Sequence, residues 1–235
     1  MKVTVDQAFW DLFPTARITV MSLYGIDNTV DEAKDPYFKE LLDKGAKRAW
    51  DFIDEDNYTQ SEFVQEWRQA FSKFKTKKGA RSSIEALLKR VHQGREFYPI
   101  NPLVDLYNSV SMAYALPCGG EDMSKLVGGL SLGQAKGGEP FFPLGAEEDA
   151  PALEGEIIYF DQEGAVCRCL NWREAQRTML TEETKDAILV IEAIDEEQAE
   201  RAQTAMQELK DLAKDYFGVE GTIYQLSAEE ASIEV

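Results

Sequence analysis

The chain has 235 residues, a formal net charge of −18 and the apolar content of an ordinary globular protein. That length suffices for a sizeable core in one domain, or for a domain with an elaborate extension. No stretch approaches the roughly 18 to 20 uninterrupted apolar residues of a membrane helix, and Asp6, Gln7 and Asp11 interrupt any apolar signal region behind Lys2, so neither a membrane nor export is expected.

In chain order, ARITVMSLYG (16–25) alternates and is rich in β-branched residues, which predicts a strand ending at Gly25. Residues 36–53 carry Phe38, Leu41, Leu42, Ala46, Ala49, Trp50 and Ile53 at helical spacing. A second amphipathic helix is expected over 59–74, and a basic glycine-containing loop, KTKKGA, follows. Ser82 or Ser83 then caps IEALLKRVHQ, which Gly94 ends. Asn101 with Pro102 opens a fourth helix towards Tyr114, stopped by Pro117 and the Gly119–Gly120 pair. Residues 128–153 are rich in Gly and Pro, with short β possibilities at LSLGQA and FFPLG; GGEDM, VGGL and KGGEP are expected to be turns. EIIYFD (156–161) and AVCRCLNW (165–172) predict a hairpin. A polar turn (181–186), a buried strand (187–194), a long helix from Asp195 to Phe217 and a last strand (221–227) complete the chain, with an acidic tail expected to fray.

This mixture is α+β: a mixed sheet with antiparallel hairpins and covering helices, and an N-terminal helical elaboration. One domain over 1–235 is expected, with a strand and helices in 1–97, a core in 98–218, and the last strand and tail in 219–235.

The negative charge argues against a generic nucleic-acid binder, DNA included. It is not uniform, however. From Trp67 to Arg95 there are nine Lys or Arg against one acid, Glu85. This is either a defined docking surface or a solvated helix face. Three cysteines, Cys118, Cys167 and Cys169, form no disulfide framework and fit a reducing cytoplasm. Cys167 and Cys169, two apart in a strand-like run, are expected to point the same way as core thiols, and no metal site or cofactor is expected. With His92 as the one histidine, triad chemistry lacks its usual parts.

Three polar clusters remain. Asn101, Asp105 and Asn108 share one face of the fourth helix, as a cap and core network or as something more. NWREAQRT (171–178) brings binding groups together at a strand end, or is a charged loop with a Trp lid. Arg81, Ser82 and Ser83 open a helix as an anion-friendly spot or simply as a cap.

YPINPLVDLYNSV resembles the Asn-x-x-Val-Asp-x-x-Asn helix of the tRNA-editing domain (third and fourth modules) of the phenylalanyl-tRNA synthetase beta subunit. LTEETKDAILVIE (180–192) resembles that family's Val-Thr-Glu-x-Thr segment and strand, and ALPCGGED (115–122) stands at its Gly-x-Pro-x-His-x-x-Asp turn. The likeness spans about 98–194, and KKGARSSIEALLKR and NWREAQRT look like the freestanding relatives of the domain. It implies a mixed α/β fold with a pocket, and hydrolysis of the ester joining a wrong amino acid to the tRNA 3′ end, with no side-chain nucleophile, metal or cofactor. The family's histidine falls on Gly119, and its glycine-rich turn falls on Leu170 to Ala175. Bulkier, more polar residues there suggest a smaller or more polar amino acid, or another ligand. On this resemblance Asn171 and Arg173 are the candidate catalytic residues, placing the ester and water. Asp105, Asn108, Trp172 and Glu192 are the candidate substrate contacts. Lys75, Lys77, Lys78, Arg81 and Ser82 are the candidate tRNA contacts, and the expected partner is an aminoacylated tRNA acceptor end. The alternatives are a non-catalytic tRNA- or RNA-binding module and a protein binding an amino-acid-like metabolite.

Overall fold

The structure, a computed structural model, describes residues 1–235. Ten strands form two sheets, and six α-helices cover them. No helix is long and apolar enough to cross a membrane.

The four-stranded sheet has the order β3 (Cys118–Asp122), β8 (Ala187–Ala193), β2 (Arg17–Leu23), β9 (Thr222–Leu226), all antiparallel. Every residue of β8 is buried because both faces are covered, which is why AILVIEA is a continuous apolar run broken only by Glu192. One face packs Met21, Leu23, Leu189 and Ile191 against α5 (Pro102–Tyr114) and α6 (Glu196–Phe217). The other presents Ile18, Val20, Ile188 and Val190 to the second sheet.

The second sheet has the order β10 (Ser232–Glu234), β1 (Lys2–Val5), β4 (Leu130–Gln134), β5 (Ile157–Phe160), β6 (Ala165–Arg168), β7 (Arg173–Glu174). Only β1 and β4 run parallel. The largest core lies between the sheets, closed by α1 (Gln7–Leu12), α3 (Glu62–Ser72) and α4 (Ser83–His92). Helix α2 (Asp35–Arg48) contributes Leu42 to this core and Phe38 to the one on the far side.

Several expectations change. CGGED is strand β3, not a turn: both glycines pair with β8, and the Gly119–Gly120 pair opens an edge rather than ending a helix. The acidic tail does not fray; β10 pairs with β1, and the Val235 N–H donates to the Met1 carbonyl at 2.9 Å. Strand β1 and helix α1 are additional elements. FFPLG contributes only an isolated bridge, Pro143 with Ala175. Cys167 and Cys169 do not continue one strand. Strand β6 ends at Arg168, and Cys169 (φ 47°) and Leu170 (φ 63°) are left-handed, which turns the chain sharply.

That turn is anchored by a buried ion pair. The Arg168 Nε donates to Glu156 Oε2 at 2.8 Å, and its Nη1 donates to the Ala150 carbonyl at 2.6 Å. Both side chains are sealed from solvent. Arg168→Met leaves the Glu156 carboxylate buried and unpaired, and should cost about 3–5 kcal/mol in urea denaturation. The double variant Glu156→Leu/Arg168→Met should recover most of that loss. A single variant as stable as the double one would show that the pair is no anchor.

Candidate functional site

A cavity of about 480 Å³ lies at the seam where the edge strand β3 of one sheet meets the edge strand β7 of the other. A bridge between Glu121 and Met179 closes the seam beyond it. Glu192 and Val190 of β8 alternate onto its floor, together with Gly119 and Glu121 of β3. Tyr159 of β5, Cys167 of β6 and Glu174 of β7 come from the second sheet. Tyr107 and Asn108 of α5 line the β3 side. The mouth carries Ser83, Ala86, Leu87 and Arg90 of α4, with Trp172 and Arg173 opposite.

The glycines of β3 make this geometry possible. A Cβ on Gly119 would project into the cavity and meet only Glu174 Oε1, at 3.4 Å. A Cβ on Gly120 would overlap Leu189 and Leu180 on the opposite face. The Asp122 N–H donates to the Thr178 carbonyl on the free edge of β3. Two residues back, the Gly120 N–H faces the same way and is aimed at the Glu174 carboxylate.

Three carboxyls are enclosed here. Glu192 accepts from the Tyr159 hydroxyl at 2.9 Å and from Asn171 Nδ2 at 3.4 Å. Burial raises it to about 8, against the lowering effect of those two donors. Glu121 and Glu174 are neighbours, both held above the usual carboxylate range, first by burial and, for Glu121, also by the nearby Glu174 charge. Glu121 Oε2 and Asn171 Oδ1 are buried with no hydrogen-bond partner. Burial pushes the Cys118 and Cys167 thiols well above their ordinary range, so neither offers a thiolate. No three His, Cys, Asp or Glu side chains converge closely enough to hold a metal ion.

Of the residues expected from sequence, Asn108, Asn171, Trp172, Arg173 and Glu192 come together around the cavity. The guanidinium of the exposed Arg173 lies over the Trp172 ring at 5.1 Å. Asp105 does not join them. It is buried behind α5, and both its oxygens take the Ile100 N–H at 3.0 Å. Burial raises it to about 7. Asn101 is a cap: its Oδ1 accepts from the Val104 N–H and from Asn28 Nδ2, each at 3.1 Å. The wholly buried Asn28 in turn accepts the Leu103 N–H at 2.9 Å.

The basic segment divides. Arg68 is held by buried Glu85 at 2.8 Å, and Arg90 stacks on Phe97. Lys75, Lys77, Lys78 and Arg81 are exposed and make no ion pair. Their loop adjoins the mouth, because the Ser83 N–H donates to the Asn171 carbonyl at 3.2 Å and Lys77 backbone approaches the Cys169 thiol. Ser82 is buried, and its hydroxyl faces inward without a partner, so it is not presented to a phosphate. His92 lies away from the cavity, bonded to the Glu55 carbonyl and packed beside Trp50 and Tyr58.

Sequence reading missed Glu121, Glu174, Tyr107 and Tyr159. Glu121 sat in a segment taken for a turn. Glu174 lies within NWREAQRT, but nothing in the sequence tells a solvated loop carboxylate from a half-buried one that lines a cavity.

Residues 66–223 match the family described as the B3/4 domain. Among solved structures, the chain is similar to an N-terminal fragment of the phenylalanyl-tRNA synthetase beta subunit from Pyrococcus horikoshii, with 12% identity and a TM-score of 0.45. The match covers 95% of this chain and 53% of that one, so the chain spans about half the length of the fragment. No curated protein matches it.

Glu192 ties the site to folding. Between the ordinary glutamate value of 4.5 and about 8, the folded chain holds a proton that the unfolded chain has released. Stability from this group therefore falls as pH rises through that window. Glu174, Tyr159, Asn171, Cys118 and Cys167 face it, and Glu174 and Glu121 nearby are raised as well, so the parent's pH dependence is shared with them. Glu192→Gln cannot ionise, so relative to the parent it should gain roughly one to a few kcal/mol between about pH 5 and pH 9. Urea midpoints across that range measure the gain; a pH-independent difference would show that Glu192 titrates normally.

Proposed function

The chain belongs to the B3/4 domain family, and on that premise, together with the resemblance of its motifs to the tRNA-editing domain of the phenylalanyl-tRNA synthetase beta subunit, we propose that it hydrolyses the ester of a mischarged aminoacyl-tRNA. The observation that carries this reading is a cavity that groups Asn171, Arg173 and Glu192 while burial keeps the Cys118 and Cys167 thiols from ionising. An aminoacyl ester is already activated, so the work left to the site is to place a water and the acyl group.

In this reading Asn171 and Arg173 hold the ester, Arg173 from the mouth and Asn171 from inside. Glu192, hydrogen-bonded to Asn171, accepts a proton from the attacking water. A carboxyl near 8 suits a general base at neutral to mildly alkaline pH. The water oxygen bonds to the acyl carbon, the ester C–O bond breaks, and the proton passes to the departing ribose oxygen. The products are a free amino acid and an uncharged tRNA end. Asn108 and Trp172 shape the acyl site. Lys75, Lys77, Lys78 and Arg81 meet the phosphates of the acceptor end, a local cationic strip on a protein whose overall charge repels other polyanions.

The test is a panel of mischarged tRNAs followed for ester loss. At least one should be deacylated faster than spontaneously, with Asn171→Ala and Arg173→Ala each slower by about tenfold to a hundredfold at unchanged circular dichroism. After subtraction of the spontaneous rate, activity should climb towards a plateau above about pH 8, and Glu192→Gln should abolish the climb and cost on the order of a hundredfold. Replacing Lys75, Lys77 and Lys78 together should raise KM and leave kcat in place. Salt-sensitive tRNA binding with no ester loss across the panel would instead favour a non-catalytic tRNA-binding module.

A further inference from the structure

We infer that the Glu121–Glu174 end of the cavity is a seat for a primary ammonium group, so that the ligand is an amine. Four observations lead there. The two carboxylates come from different sheets and meet across the seam, with Gly119 leaving the space in front of Glu174 Oε1 open. Glu121 is 7% exposed, and its Oε2 is buried with no hydrogen-bond partner, beside the Thr178 hydroxyl, which is buried and likewise without one. Two neighbouring buried oxygens without partners leave acceptor capacity that a ligand donor can fill.

The chain itself supplies no cation there. The nearest, Arg177, is held in a fork by Asp161 at 2.7 and 2.8 Å. Arg168 is sealed against Glu156, and the two cations at the mouth are stacked on rings, Arg173 over Trp172 and Arg90 over Phe97. A metal ion does not fit, since no third ligand converges on the pair. An ammonium does fit: it is compact, carries three donors and no acceptor, and can address two carboxylates and a neighbouring oxygen at once. Glu192 is not counted in the seat, because its carboxyl is engaged by Tyr159 and Asn171 and its remaining lone pairs are those the proposed water uses.

Arrival of the amine is coupled to protons. The empty pair, facing Tyr107, Cys118 and Glu192, with the Arg177–Asp161 pair behind it, retains protons that an incoming ammonium displaces. As a statement about the acyl group of a substrate, the inference rests on the editing reading and deepens it; as a statement about the cavity, it stands alone. The amine is either the α-amine of an amino acid or an amine on its side chain, and the probes separate the two.

The experiment is isothermal titration of the full chain with four small amides. Lysine amide carries both amines, norleucine amide the α-amine, ε-aminocaproamide the terminal amine, and caproamide none. Binding of lysine amide and one of the single-amine probes, but not of caproamide, is expected. The enthalpy should vary with buffer ionisation, reporting proton release. Glu121→Gln and Glu174→Gln should each weaken binding at least about tenfold, with the parent's circular dichroism. Equal binding of caproamide, no binding of any amine, or full affinity in both Gln variants would overturn the seat. Ester hydrolysis without amine binding would overturn this inference alone, and amine binding without hydrolysis would overturn only the proposed activity.

Discussion

The arrangement of the site depends on one buried contact, the Arg168–Glu156 ion pair. Arg168 is the last residue of β6, and Glu156 immediately precedes β5, so the pair ties the open end of the hairpin. Directly after it, Cys169 and Leu170 adopt left-handed backbone that costs side-chain-bearing residues about 1–3 kcal/mol each. The turn persists because its surroundings over-determine it: the Leu170 N–H donates to the Ile157 carbonyl, and both side chains are fully buried. Without the turn, the chain would run on as a strand. With it, Trp172 and Arg173 swing to the mouth, Asn171 reaches Glu192 inside, and Glu174 enters the seam.

The seam explains why so many polar groups collect in one place. Elsewhere the sheets bury their inner faces against each other in an apolar core. Where β3 and β7 meet, two edges bring unpaired backbone and little side-chain bulk together. Such a place can host hydrogen-bonding groups that the core excludes. The enclosed carboxyls then keep their protons longer than surface ones, so an acidic lining need not be anionic at neutral pH.

Much of this was legible in the sequence. The Asn101–Pro102 start of α5 was visible because capping is local chemistry, and the β8 run was visible because burial on both faces writes itself as uninterrupted apolar residues. NWREAQRT drew notice as a polar cluster, and its first four residues reach the cavity. What stayed hidden depended on distant partners. Strand β1 has four residues and β10 three, too short for periodicity to register, and each is stabilised by the other from opposite ends of the chain. The paired glycines of β3 looked like a turn because only the pairing with β8 makes them a strand. Asp105 and Asn108 share a helix face, yet one is sealed behind the helix and the other reaches the cavity, a difference of packing rather than spacing.

Gly119 has a consequence of its own. The free space before Glu174 exists because position 119 has no side chain, and the wall behind it is strand backbone that cannot retreat. That position therefore works as a depth stop. Alanine would trim the chamber by a methyl group, valine would fill its inner end, and a longer residue would divide it into two compartments. The size class of molecule that fits is thus held at one codon, where it can change without disturbing the pairing of the strand that carries it.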